Sequence, residues 1–299
     1  MHLHRLRYAT IPYYDLRTTC HMHGWRHLAP FAWDEGRQTL TFACLMDGAA
    51  VDVTVSQHQG TIQATVHAHR GLPAGTRTRL RAMIRRSLSL DVDTTPLLAV
   101  AERLAPALGA LVRQGAGRLL RSPTLWEDAV KTLCTTNCSW VLTERMCAGL
   151  CGPRFSPPTP LGQYPFPAPA RVAAVGPARL RRPLPIGYRA PALHALARTC
   201  ARDPGLGGLG TDRLDAAQAL ARVRAFPGFG PYASAHLLLL ADYCDAIPVD
   251  SAVTAYVRQT YRTKNAAAFL ARRYRGWRPF RWWGYRLERM WRRQTAAAS

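Results

Sequence analysis

Two short stretches of this chain combine residue types and spacing that can do chemistry. In Arg224-Ala225-Phe226-Pro227-Gly228-Phe229-Gly230-Pro231-Tyr232-Ala233-Ser234-Ala235, an amphipathic helix ends at Phe226. Gly228 and Gly230 then permit a tight turn, and Pro231 suits the first turn of a second helix. Amides at such a hairpin, close to a positive helix end, can face an anion without side-chain obstruction. About twenty residues on comes Ile247-Pro248-Val249-Asp250-Ser251. Pro248 holds the preceding residue extended, and Asp250 stands where it caps a helix running toward Tyr261. A cap alone does no chemistry. The helix N-terminus also favours the ionised carboxylate, which would leave a fixed negative charge beside whatever enters the site. His236 follows Tyr232 by one helical turn on the same face, so both can line a pocket or pack as core residues.

The elements that must position these residues change texture along the chain. Thr39 to Cys44, an alternating run with Val51, Val53 and Val55 on one face, and a second with Ile62, Ala64, Val66 and Ala68 read as an antiparallel meander with one wet face. Its second turn falls at Gln59-Gly60, and a basic helix follows from Arg77 to Ser87 with Leu80, Met83 and Ile84 as its apolar stripe. From about Pro96 the text is helical. Ser122-Pro123-Thr124 opens one helix, with Ser122 as the cap and Pro123 in the first turn. The Pro- and Arg-rich stretch from Arg154 to Pro191 reads as extended connection with short helices, and a loop from Asp203 to Gly210 precedes a helix from Thr211 to Phe226. The expected fold class is α+β: an antiparallel sheet domain over 1–95, then a mostly helical region over 96–299. That region holds the helix-hairpin-helix motif at about 211–242 and a basic C-terminal helix.

Of the 299 residues, 48% are apolar, enough for a sizeable core, and no apolar run approaches the roughly 18 residues of a membrane span. The first residues carry no apolar segment of the secretory kind, so the protein is expected in the cytoplasm, at the nucleoid, or in a nucleus rather than secreted. Forty Lys and Arg against eighteen Asp and Glu leave a net charge of +22. Such a surface attracts polyanions at long range, which makes nucleic acid the first candidate partner. Cys134, Cys138, Cys147 and Cys151 form two i, i+4 pairs in apolar helical text. They read as small core hydrophobes rather than the turn-borne ligands of a zinc site. Between Arg272 and Arg293 nine arginines interleave with Trp277, Trp282, Trp283 and Trp291, and Glu288 is the one acid. The expected form is a final amphipathic helix with packed tryptophans and a basic outer face.

The hairpin Phe226-Pro227-Gly228-Phe229-Gly230 followed by Pro248-Val249-Asp250 resembles the helix-hairpin-helix superfamily of base-excision DNA glycosylases. Thr135-Thr136-Asn137-Cys138-Ser139-Trp140 is similar to the segment of the 8-oxoguanine branch whose asparagine fills the gap left by a flipped base. Ile186-Gly187-Tyr188-Arg189-Ala190 resembles that branch's wedge turn, which touches the widowed base. One position departs from the bifunctional pattern. Where those members carry a Schiff-base lysine, two residues after the last hairpin glycine, this chain has Tyr232. Monofunctional 3-methyladenine enzymes have an aromatic residue there.

The resemblance implies a monofunctional glycosylase that flips a damaged purine out of double-stranded DNA and cleaves its N-glycosidic bond. Asp250 would be catalytic and Tyr232 and His236 the base pocket. Gly228, Phe229, Gly230, Asn137, Tyr188 and Arg189 would contact DNA, and the C-terminal interleaving of arginine with tryptophan adds Arg289 and Arg292 as further DNA contacts. No organic cofactor or metal centre is implied, beyond a monovalent cation that such hairpins hold through backbone carbonyls, and a monomer is the simplest form. The pocket residue favours alkylated purines and the wedge segments favour 8-oxoguanine. A module that binds lesions or bent duplex without cutting a bond is the reading from a different class.

Overall fold

Alternation with period two becomes a five-stranded antiparallel sheet, here described from a computed structural model that covers residues 1–9, 11–182, 184–209 and 214–298. Its strands are β1 (His2–Tyr8), β2 (Ala32–Asp34), β3 (Thr39–Met46), β4 (Ala49–His58) and β5 (Thr61–Ala68), in the order β1-β5-β4-β3-β2. Register places Val51, Val53 and Val55 opposite Ala68, Val66 and Ala64 on one side and Cys44, Phe42 and Leu40 on the other. All nine side chains are buried, so the face with the apolar alternation is the core face. Asp47-Gly48 and Gln59-Gly60 make the two-residue hairpin turns, each with positive φ at both positions, which matches the twist of the flanking strands.

The opposite face of the sheet is drier than the alternation predicts. Asp52 is buried because the Thr159 hydroxyl (2.7 Å) and the Leu161 amide (2.9 Å) close over its carboxylate. β1 is not legible as a strand, since its His- and Arg-rich text buries only Leu6 and Tyr8. It pairs at the sheet edge, where charged side chains are tolerated.

The helices follow as α1 (Leu16–His21), α2 (Ala74–Ser87), α3 (Thr95–Leu104), α4 (Pro106–Arg113), α5 (Leu125–Cys134), α6 (Trp140–Leu150), α7 (Pro169–Ala173), α8 (Pro177–Arg181), α9 (Ala190–Arg202), α10 (Ala216–Arg224), α11 (Pro231–Leu240), α12 (Ser251–Tyr261), α13 (Ala266–Arg273) and α14 (Arg281–Ala298). The cap of α5 is Thr124, whose hydroxyl accepts the Glu127 amide (3.2 Å), and not Ser122. Ser122 instead donates its own amide to Asp128 (2.8 Å). α10 starts at Ala216, behind an Asp215–Gln218 capping box, and the expected helix start at Thr211 lies outside the described residues. The basic C-terminal stretch is not one helix. Arg275–Trp277 forms a 3-10 turn, and α14 begins only at Arg281, past Pro279. Trp277, Trp282 and Trp283 are buried and Trp291 is exposed, so three of the four tryptophans serve the core. Gly284 makes that packing possible, since a Cβ there would fall 2.5 Å from the Trp277 ring.

The chain divides into two compact units that differ from the change of texture near residue 95. The first comprises Met1–Val92, Arg118–Gly207 and Phe226–Gly228; the second comprises Asp93–Gly117, Gly208–Ala225 and Phe229–Ser299. Helices α3 and α4 therefore belong with α10 to α14, while α5 to α9 belong with the sheet. Among the described residues no helix is long and apolar enough to cross a membrane.

Candidate active site and nucleic-acid interface

In the first unit, α5 is the platform for the asparagine segment. Glu127, Asp128 and Lys131 are all buried in it. Asp128 accepts the Trp25 indole N–H, the Ser122 amide and the Arg86 guanidinium, each at 2.8 Å. Lys131 bonds Glu127 at 2.6 Å and lies 4.3 Å over the Phe31 ring, and burial still pushes the Glu127 carboxyl above its ordinary range. Past the end of α5, Asn137 takes a left-handed backbone (φ 45°) and stands exposed. The Asn137 side chain is thus displayed on a short turn whose root is buried.

The wedge turn divides its labour. Tyr188 is 62% exposed, whereas Arg189 is 4% exposed. The resemblance places Arg189 on DNA, but its guanidinium turns inward. Nε donates to the Thr136 hydroxyl (3.3 Å), Nη2 donates to the Thr136 carbonyl, and the Tyr188 ring lies 4.6 Å from the guanidinium carbon. Arg189 therefore ties the Tyr188 turn to the residue that precedes Asn137. The four paired cysteines pack nearby as thiols. Cys134 and Cys147 are fully buried, a hydrogen bond between them together with burial holds the Cys134 pKa far above its ordinary value, and Cys138 donates to the Cys134 carbonyl (3.0 Å).

The hairpin itself is a tight turn for one definite reason. Gly228 has φ 84°, and a Cβ on it would fall 2.7 Å from Leu133 and 3.3 Å from Ala192. Gly230 has an ordinary φ of −72° and acts as the cap position of α11, with Pro231 behind it. Phe229 is buried, so its side chain cannot meet a ligand, and its carbonyl accepts the Ser234 hydroxyl (3.1 Å). Of the residues expected to face an anion at the hairpin, Gly228 and Gly230 are exposed and Phe229 is not.

In the second unit, α11 brings Tyr232 and His236 together. The Tyr232 hydroxyl lies 3.2 Å from His236 Nδ1, their rings are 5.7 Å apart and edge-on, and both side chains are half-buried. Asp250 caps α12: Oδ1 accepts the Val253 amide at 2.7 Å, and the other oxygen, Oδ2, accepts nothing from the described residues. One oxygen is pinned and the other is available.

Beside it stands a cluster of aromatic and arginine side chains that spacing alone does not announce. Burial raises the Tyr285 hydroxyl pKa against the opposing pull of Arg289, and the Asp250 carboxylate adds to the rise, which places Tyr285 within electrostatic reach of Asp250. Arg289 donates to the Tyr285 hydroxyl (2.7 Å) and lies 4.4 Å over Tyr256. Arg292 points elsewhere. It joins Arg273, Tyr261 and Tyr274 around Glu288, with contacts of 2.6 to 2.9 Å from Tyr261, Tyr274 and Arg292. Arg278 and Arg281 likewise hold Asp245 at 2.8 to 3.1 Å. Much of the basic C-terminal surface is therefore spent on its own acids.

Burial alone would raise the Glu288 carboxyl, but bonds from Arg273, Tyr261, Tyr274 and Arg292 hold it down at about 2 against an ordinary 4.5. A depressed carboxyl contributes stability that is fully present above pH 4.5 and is lost as pH falls toward 2. Glu288→Gln should remove a pH-dependent contribution on the order of 2–3 kcal/mol, flattening acid unfolding in that window as followed by tryptophan fluorescence. An acid limb of unchanged steepness in the variant would contradict this assignment.

No protein-family model matches the chain, and no curated protein sequence matches it. Solved structures do. The apo form of Clostridium acetobutylicum 8-oxoguanine glycosylase/lyase matches with a TM-score of 0.72 at 14% identity, over 95% of this chain and 94% of that one. MBOgg1 in complex with a low-affinity DNA ligand matches at 0.71 and 16% identity, over 99% and 100%. The 3-methyladenine DNA-glycosylase of Archaeoglobus fulgidus matches at 0.69 and 17% identity, over 94% and 96%. The fold is that of these DNA glycosylases.

On this glycosylase fold the chain places a tyrosine, not a lysine, two residues past Gly230. Tyr285 and Thr136 are the neighbours of the expected site residues that sequence reasoning missed. A usable signal for Tyr285 was its i, i+4 spacing to Arg289; for Thr136 there was none, because its partner Arg189 is 53 positions away.

Proposed function

We propose that the protein is a monofunctional DNA N-glycosylase that removes a damaged purine from duplex DNA. The observation that carries this is Asp250, with one carboxylate oxygen held at the N-terminus of α12 and the other accepting nothing from the described residues. As the glycosidic bond lengthens, positive charge grows on the sugar. A pre-oriented carboxylate stabilises that charge more than it stabilises the ground state. Tyr232 offers a half-buried aromatic face to an extruded base, oriented by its contact with His236. Asn137 and Tyr188, both exposed, fill the space the base leaves, and the Gly228 and Gly230 backbone holds phosphate without reading sequence.

Tyr232 carries no amine, so the Schiff-base step is unavailable at that position. Water adds its hydroxyl to C1′ and its proton goes to the departing base, so the products are free base and an intact abasic strand. The stacking platform favours alkylated, electron-poor purines. A second reading, 8-oxoguanine, is supported by the exposed Asn137 turn and the Tyr188 wedge. A monovalent cation at the hairpin suits backbone oxygen donors. The Phe229 and Gly230 carbonyls each accept a bond from Ser234, so the hairpin presents backbone oxygens at this turn. The enzyme works as a monomer wherever the genome lies, at the nucleoid or in the nucleus.

Oligonucleotides carrying one defined lesion each, incubated with the protein and analysed with and without alkali, test the proposal. Strand scission is expected only after alkali, on a 3-methyladenine or 7-methylguanine duplex. Scission without alkali would refute the monofunctional assignment, and release confined to 8-oxoguanine would decide for the second reading.

A further inference from the structure

Helix α14 sets Arg286, Arg289 and Arg293 on one face, at separations of three, four and seven residues. The neighbouring stripe holds Glu288, whose oxygens are occupied by Tyr261, Tyr274, Arg273 and Arg292. Nothing comparable serves Arg286. It is half-buried, no carboxylate of the described residues pairs with it, and its Nε is enclosed without an acceptor. The Nε of Arg289 is likewise enclosed and unbonded, and its Nη1 donates to a neutral hydroxyl, that of Tyr285. Burial, with Arg289 and Arg293 adding like charge, pulls the Arg286 pKa down to about 10. Two guanidiniums with enclosed, unmet Nε donors, beside the exposed guanidinium of Arg293, form a site that is electrostatically costly when empty.

We propose that Arg286, Arg289 and Arg293 form a binding site for a phosphate-class oxyanion. A tetrahedral anion of charge −1 to −2 offers acceptors to several guanidinium forks at once, which a single carboxylate does not. In the cell the anion is a phosphodiester of the bound strand, an assignment that rests on the proposed function. The site uses Arg286, which the sequence does not single out, and excludes Arg292, which is bonded to Glu288.

Thermal unfolding of the full chain in inorganic phosphate, against chloride and acetate at matched ionic strength, reads the site directly. Phosphate should raise the wild-type midpoint by roughly 3–6 °C beyond either control. Arg286→Gln should lose that increment while unfolding no earlier than wild type in phosphate-free buffer, because a mutual repulsion is removed. Arg293→Gln, at an exposed position, guards against a folding defect and should weaken the phosphate response several-fold. Equal responses in wild type and both variants, or an equal shift with acetate, would overturn the site. Binding to undamaged duplex identifies the source. A salt-dependence slope reduced by about 1 in Arg286→Gln assigns the anion to the DNA backbone. An unchanged slope with a wild-type-specific phosphate response assigns it to free phosphate. Because undamaged DNA is used, a protein that excises nothing can still pass, and an active glycosylase can still fail.

Discussion

Asp250→Asn is expected to lower the single-turnover rate of base release by roughly 10²–10³, equivalent to about 3–4 kcal/mol of transition-state stabilisation. The substitution isolates charge from structure. Asn caps a helix as well as Asp does, so the bond from the Val253 amide and the start of α12 survive. What is lost is the anion facing the sugar as it becomes cationic. Affinity for the damaged duplex should change less than threefold, since removing one negative charge disfavours nothing in a phosphate-binding surface. Loss of turnover with retained binding is the signature of a catalytic carboxylate. Turnover within a few-fold of wild type would sink the enzymatic role of Asp250 and leave it a cap. If no lesion is released by either protein while both bind duplex, the chain is a binding module on a glycosylase fold.

Glu127→Gln should be the most damaging single change in the first unit, costing about 3–5 kcal/mol of folding stability. Lys131 is fully buried, and its ammonium has the Glu127 carboxylate at 2.6 Å and the Phe31 ring at 4.3 Å. Neutralising Glu127 leaves that ammonium without a counter-charge in a dry site. The measurable result is a fall in the thermal midpoint of roughly 8–15 °C. Replacing both residues, Glu127→Leu with Lys131→Met, should recover most of the loss, because two apolar groups of similar volume require no compensation. A single variant within about 1 kcal/mol of wild type would show that the pair does not hold α5. The consequence reaches function, since α5 ends at Cys134 and carries the Asn137 turn. The single variant should therefore bind duplex more weakly even below its unfolding transition.

Local rules made much of this protein legible. Valine and alanine alternation defined the sheet's core face, because side chains on a strand alternate with period two whatever packs on them. Asp250 was readable as a cap from Pro248 before it and the apolar spacing after it, and the structure bears this out. Gly228 was readable as a turn residue, and its positive φ confirms why. What spacing could not decide were contacts between residues far apart in sequence. Arg189 looks like a surface cation in its own segment and becomes buried only because Thr136 presents a carbonyl and a hydroxyl to it. Phe229 sits in a hairpin whose text reads as anion-facing, yet core packing claims its ring.

The arginine-rich C-terminus shows the same limit most sharply. Composition set its sign, and nine arginines against one acid read as a uniformly basic face. Tertiary structure sorted them. Glu288 pairs with Arg273 and Arg292, Asp245 pairs with Arg278 and Arg281, and Arg286 is left with neighbours of its own charge. The sequence by itself determined the net charge, the sheet, the hairpin and the capped carboxylate, since each depends on residues within a few positions of one another. Which cations remain unpaired depended mostly on counter-charges brought from 15 to 36 positions away, as for Arg273, Arg278 and Arg281. A guanidinium's electrostatic value is set by the distance to its nearest counter-charge, and only the folded chain sets that distance.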